Sequence, residues 1–394
     1  MTDNDTDRPD EAGNGQPSPL EGTPKQVDVS RIEQELSRLW QAAGEGSAQA
    51  VTRACALNLV VHVDGEEEAA RASETIAHVA THDPHRAIVV VAEPEAESGL
   101  DTWISAHCFL SAPNSPQVCC EQITVSARGD AVEQAPGLVL PLLVSDLPVV
   151  LWWVGDPPIG TAGFDRFADA AHRVILDSAS FANPCARLLT LAVRTGGQLR
   201  PAISDLNWAR LTSLRELAAQ FFDAPEMLSY LGHVQSVTVE YAVRPSETAN
   251  PAQAAMLLGW LGSRLDWQLA PGQGAPVTCE SAHFISAAGD KVEAEIVPVD
   301  RSDVEPGSVV GLTIRAQGRR SATFTITAEP GGDCVETRAE VEGKQPIGRT
   351  ICPTPQTIHH LICQELEFVG RDQIYEESLA LIASATPIGD RLPA

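Results

Sequence analysis

Residues 147–155 read LPVVLWWVG, an almost unbroken apolar run that Gly155, Asp156, Pro157 and Pro158 stop abruptly. A strand that is apolar on successive residues has no wet face. It needs cover on both sides, and an interior parallel strand of a layered α/β domain has that cover. The surrounding chain fits such a layer. ALNLVVHV (56–63), RAIVVVAE (86–93), CEQITVSA (120–127) and HRVILDSA (172–179) are further short strand-like runs. A helix-like segment near 67–80 separates the first two, and a connector near 164–171 precedes the last. RIEQELSRLWQAA sets Ile32, Leu36 and Leu39 at helical spacing, which predicts a first helix over about 29–42. The expectation is an α/β layer domain over 27–232.

The texture changes beyond it. SDLNWARLTSLRELAAQFFD (204–223) reads as one amphipathic helix capped by Ser204 or Asp205. VTCESAHFI, KVEAEIVPV, SVVGLTIRA and SATFTITAE then alternate apolar and polar residues, with turn signals such as AAGD, EPGS and AQGRR between them. Hairpin-linked strands of this kind predict an α+β domain over 233–394 with a mostly antiparallel sheet. Helices are expected at about 251–267, 355–369 and 372–385. The first 26 residues are acidic and rich in Gly and Pro, the reverse of a signal peptide, and are expected to be disordered.

Charge narrows the partners. The chain has 394 residues and a formal net charge of −26, so its field repels phosphate backbones and anionic lipid. Neither nucleic acid nor a membrane is an expected partner, and no apolar run reaches the roughly 20 residues a span needs. Nine scattered cysteines, an odd number without framework spacing, predict free thiols and a cytoplasmic protein.

Motifs for catalysis are missing from the string. There is no G-x-G-x-x-G, no G-x-x-x-x-G-K-[ST], no G-x-S-x-G and no H-E-x-x-H. No cofactor and no catalytic residue is expected. Cys352, His359, His360 and Cys363 come nearest to a metal cluster, but their spacing fits no usual zinc pattern, and buried thiols with a polar helix face explain them. His62, His78, His82 and His85, with Asp64 and Asp83, read as surface polar residues around a turn.

Tryptophan is the unusual residue. Trp152 and Trp153 must face opposite sides of their strand and suit either a core or an interface, while Asp156 lies in the stiff loop that follows. Asp205, Asn207, Trp208 and Arg210 fall in the first turn of the predicted helix. These seven residues are the candidate partner contacts, placed at the carboxyl ends of the strands, where α/β sheets carry their functional crevice.

At these residues the chain resembles a known family. CCEQITV (119–125), LVLPLLVSDLPVVLWWVGDPP (138–158), RVILDSASF (173–181) and ISDLNWARLTSLRELAAQFFD (203–223) are similar, in this order, to blocks of the glucose-6-phosphate dehydrogenase assembly protein family. The resemblance implies a non-catalytic accessory protein that binds glucose-6-phosphate dehydrogenase, promotes its active oligomer and activates it in the oxidative pentose phosphate pathway. In photosynthetic members this activation is tied to thiol redox state, although no regulatory pair maps onto the nine cysteines of this chain. The competing expectation is a sugar-phosphate or nucleotide-processing enzyme whose site is assembled from distant residues.

Overall fold

The computed structural model describes residues 20–384, apart from 22–23, 47–50, 111–116, 197–200, 246, 271–280, 355 and 369. Its first sheet takes ten strands in chain order: β1 (Leu20–Glu21), β2 (Lys25–Val27), β3 (Val51–Arg53), β4 (Leu57–Val63), β5 (His85–Glu93), β6 (Gly99–Leu110), β7 (Gln117–Arg128), β8 (Val149–Trp153), β9 (Arg173–Leu176) and β10 (Ala202–Asp205). The main path runs β1-β6-β7-β5-β4-β8-β9-β10, with β2 on β6 and β3 on β7. From β7 through β5, β4, β8 and β9 to β10 all pairings are parallel, whereas β6 pairs antiparallel with β7, β1 and β2. The sheet is therefore mixed and mostly parallel.

Every residue of β8 is buried, as its unbroken apolar run requires, and so is every residue of β4, Asn58 and His62 included. Trp152 joins one face with Val61, Ile76 and Leu361, and Trp153 joins the other with Phe164 and Phe167. Helices α1 (Ile32–Gly46), α2 (Glu66–Ala80), α3 (Ala131–Val139), α4 (Ala162–Ala170) and α5 (Pro184–Thr195) accompany this sheet. The segment expected as one helix over 204–223 is broken. Ser204 and Asp205 end β10, α6 (Leu206–Arg210) follows with the Asp205 side chain accepting from the Asn207 amide, and α7 (Thr212–Gln220) starts after Leu211. The mixed apolar spacing of this stretch is the trace of that break.

After the short α8 (Pro225–Leu228) comes the second sheet. Its strands are β11 (Val234–Val243), β12 (Gln268–Leu269), β13 (Ser281–Ile285), β14 (Lys291–Asp300), β15 (Val309–Gln317), β16 (Ser321–Ala328), β17 (Val335–Val341) and β18 (Ile347–Ile351), ordered β12-β13-β14-β11-β15-β16-β17-β18. All pairings are antiparallel except β11 with β14. One face is covered, and helix α9 (Ala252–Arg264) is buried along almost its whole length.

Three expectations need correction. Leu20, Glu21, Lys25 and Gln26 were placed in the disordered tail, yet they pair with β6 within β1 and β2, because β6 offers a free edge there. Residues 1–19 lie outside the described residues. The closing helices α10 (Ile358–Glu367) and α11 (Gln373–Ser384), assigned to the second domain, also reach the first. Leu361 and Ile362 pack with Val61 of the first sheet and Ile76 of α2, and α11 packs on α5 as well as α9. At Gly259 a Cβ would fall 2.6 Å from the Ser378 carbonyl, so α9 and α11 approach closely only because glycine stands there. One hydrophobic cluster, from Ile32 to Ile382, runs through both halves.

Thirdly, the thiols are not all free. Cys108 and Cys119 face each other across β6 and β7, and Cys334 and Cys352 sit one rung beyond Val335 and Ile351 on β17 and β18. Both pairs are disulfides, with Cα atoms 4.1 and 4.0 Å apart. Cys185 is disulfide-bonded too, while Cys55, Cys120 and Cys363 are free. Spacing along the chain hid these pairs because cross-strand register, not sequence separation, brings them together. Among the described residues, no helix is long and apolar enough to cross a membrane, and no group of His, Cys, Asp and Glu could hold a metal ion.

Candidate functional site: the carboxyl edge of the first sheet

From β4 the chain crosses through α2 to β5 on one side, and β8 later flanks β4 on the other. The strand order thus reverses beside β4, and the carboxyl ends of β4, β5 and β8 leave an open crevice there. It holds a cavity of about 690 Å³. His62 and Asp64 enter it from β4, Trp153 and Asp156 from β8, and Glu133, Phe164 and Arg166 from α3 and α4. Gly155 makes the sharp exit from β8 at φ +86°, a conformation that side chains resist.

Register builds the floor of the crevice. His62 and Trp153 are direct partners on parallel strands and point to the same face, so their rings stack at 3.6 Å with an interplanar angle of 8°. His62 is only 6% exposed, and its Nδ1 has no hydrogen-bond partner. Burial pushes its imidazole down to about 4, which keeps the ring neutral near pH 7. The expectation of surface histidines fails for His62 and for His85, which is fully buried and also pushed down to about 4. The missed signal was positional: both lie within β-branched strands.

A dinucleotide would set its pyrophosphate on the first helix after β4. That helix, α2, starts at a single glycine, Gly65, and carries Glu66, Glu67 and Glu68 in its first turn. Carboxylates occupy the positions where backbone amides would have to meet phosphate, so this corner repels such a group.

The remaining predicted residues lie further along the same edge, and most of them face inward. Trp208 is 3% exposed. Its Nε1 donates to Asp372 at 2.8 Å, and the Arg215 guanidinium lies 3.8 Å from its ring centre. Asp205 and Asn207 are buried in a polar relay. The Val309 amide donates to Gln253 Oε1 (2.6 Å), Gln253 Nε2 donates to Asn207 Oδ1 (3.0 Å), and Asn207 Nδ2 donates to Ser178 Oγ (3.1 Å). Asp205 accepts from the Ser178 and Asn207 amides and from the Tyr375 hydroxyl. Burial, with the charge of Asp177 second, raises its carboxyl to about 6.

This relay joins β15 of the second sheet, α9, α6, the end of β9 and α11. Trp152, Trp153, Asp205, Asn207 and Trp208 are each 5% exposed or less and fix the edge from inside. Asp156 and Arg210 remain half-exposed, paired with Arg187 (3.0 Å) and bidentately with Asp177 (2.8 Å). Arg210 also borders a second cavity of about 440 Å³, lined by Gln253 and Val309 and by Asp333 and Pro353, which flank the Cys334–Cys352 disulfide.

A solved NAD binding oxidoreductase from Klebsiella pneumoniae is similar at TM-score 0.44 and 10% identity, covering 83% of this chain and 95% of that one. The OxPP cycle protein OpcA of Nostoc punctiforme is 32% identical over 78% of this chain and 66% of its own length. The protein of the same name from Synechocystis is 30% identical over 77% of this chain and 64% of its own length. The chain thus spans about two-thirds of these relatives. Residues 76–193 match the glucose-6-phosphate dehydrogenase subunit N-terminal domain and residues 201–379 match its C-terminal domain, so the two stretches meet ahead of α6, upstream of the expected boundary at 232. Since the two matches together take in most of the sequence, the chain belongs to the family of glucose-6-phosphate dehydrogenase assembly proteins.

Proposed function

We propose that this chain is a non-catalytic accessory protein of the cytoplasm that binds glucose-6-phosphate dehydrogenase, promotes its active oligomer and activates it in the oxidative pentose phosphate pathway. The observation that carries this reading is the match of both halves to domains described as parts of a glucose-6-phosphate dehydrogenase subunit. The acidic first turn of α2, at the corner where a dehydrogenase would cradle its dinucleotide, supports a role other than hydride transfer.

The proposed partner contact is the accessible rim of the carboxyl edge, where Asp156 with Arg187 and Arg210 with Asp177 stay half-exposed beside the rigid relay. Charged pairs on a preordered edge steer association and fix orientation. Titrating the chain into the cognate dehydrogenase should raise NADPH production saturably and shift the enzyme to a larger species, while the chain alone turns over no glucose 6-phosphate. Arg210→Ala should weaken the complex about tenfold, or about 1.4 kcal/mol. Trp208→Ala should instead lower the melting temperature. Unchanged affinity of a folded Arg210→Ala protein would move the contact to another face, and turnover by the chain alone would favour the enzyme reading.

A further inference from the structure

The crevice of β4, β5 and β8 has a built interior that the accessory role does not use. Its cavity of about 690 Å³ lies within the range of small-molecule sites. One wall is aromatic, with Trp153 and Phe164 buried beneath it. A second wall is the start of α4, where Thr161 caps the helix and accepts from the Phe164 amide. The amides of Ala162 and Gly163 in that first turn have no intrahelical acceptor, and the helix dipole adds a partial positive charge there. Arg166 stands one turn further on, exposed, with no hydrogen bond or ion pair among the described residues, and its guanidinium reaches towards Gly137 of α3. The carboxylates of Asp64 and Glu133 line the same cavity. His62 also lines the cavity, nine-tenths buried, its Nδ1 without a hydrogen bond and 4.0 Å from Asp64 Oδ1.

A buried polar atom without a partner is uncommon in a finished interior, and one that lines a cavity points to a missing ligand. The walls say what chemistry fits. An anionic group suits the α4 amide end and Arg166. The acceptors in the same lining, two carboxylates and a neutral imidazole, suit hydroxyl donors. Aromatic walls suit the C–H face of a ring. We propose that the cavity binds a phosphorylated sugar, its phosphate against Arg166 and the first turn of α4 and its hydroxyls on Asp64, Glu133 and His62. The site is distinct from the dinucleotide corner, since the acidic turn of α2 is not used for phosphate. A free sugar phosphate and the sugar phosphate of a nucleotide share this chemistry.

Calorimetric titration of the full chain tests the proposal, with glucose 6-phosphate, AMP and unphosphorylated glucose as three separate probes. Saturable binding of glucose 6-phosphate or AMP is expected, and the tighter of the two identifies the source of the sugar phosphate. Glucose should bind about tenfold more weakly, a difference of about 1.4 kcal/mol. Arg166→Gln should remove that preference for the phosphorylated probe. Gly163→Leu, whose added side chain meets no atom within 4 Å at its Cβ, should block the cavity while leaving the melting temperature intact. Asp64→Asn should weaken all three probes alike. Absence of saturable binding by both phosphorylated probes would overturn the proposal, as would binding that neither Arg166→Gln nor Gly163→Leu weakens. No dehydrogenase is present in this titration, so its failure leaves the accessory role standing and the converse also holds.

Discussion

The first sheet keeps charges inside and the second keeps them out. In β4 every position is buried, and β5 and β7 carry Arg86 and His85, and Glu121 and Gln122, into the interior. In β14 buried and exposed positions alternate along most of the strand, and Glu293 and Glu295 point to water. A layer covered on both faces has no solvent side on which to place a polar group, so each one must be satisfied by a neighbour or left for a ligand. A one-faced sheet escapes that demand. The difference explains why the orphaned His62 and the Asp205 relay both lie on the first sheet, where position is tightly controlled.

The sharpest way to break this contrast is to remove one charge from each sheet. Arg86 and Glu121 are 3% and 2% exposed, and Arg86 Nε donates to Glu121 Oε1 at 2.5 Å. Arg53 and Trp40 also donate to that carboxylate. Arg86→Leu leaves Glu121 short of its buried partner and should cost about 3–5 kcal/mol in urea unfolding. The pair of Arg338 and Glu340 on β17 is 48% and 49% exposed, and Arg338→Leu should change stability by less than about 1 kcal/mol. Similar losses for the two variants would erase the distinction.

Acid should act next most strongly, and through the first sheet. His62 and His85 have folded values near 4, below the ordinary 6.5, so the unfolded chain takes protons first and stability falls as pH drops from 6.5 towards 4. Asp205 works in the opposite sense. Its value is raised to about 6, so its contribution is present below its ordinary 3.8 and is lost as pH rises through 6. Two histidines outweigh one aspartate, and the net loss from about pH 7 to about pH 5 should be about 2–3 kcal/mol. The double variant His62→Gln, His85→Gln should flatten the acid limb, and Asp205→Asn should steepen it. A melting profile that ignores all three residues would contradict the assignment.

A smaller effect tests whether the halves are coupled. Gln253→Leu removes the link between Asn207 and the Val309 amide and should cost about 1–3 kcal/mol. It should also leave a single unfolding transition, because the hydrophobic cluster still runs through both sheets. Two separated transitions would show that the relay, not the shared core, holds the halves together.

The contrast between the sheets was legible in the string, and its consequences were not. Unbroken runs such as VVLWW and alternating runs such as KVEAEI state the burial pattern directly. Trp152 and Trp153 on opposite faces follow from strand geometry alone. What one strand cannot state is its neighbour. The His62–Trp153 stack, the two cross-strand disulfides and the return of α11 to α5 all depend on register or on long-range packing. Trp208 looked like an anchor because local sequence shows an aromatic among polar residues. Asp372 and Tyr375, more than 160 positions away, bury it.

The proposed role is tested most directly by one titration, in which the rate and mass of the cognate glucose-6-phosphate dehydrogenase are measured as this chain is added. A saturable rise in NADPH production together with a shift to a larger oligomer is the predicted result. Unchanged kinetics and an unchanged mass at saturating concentration would contradict it.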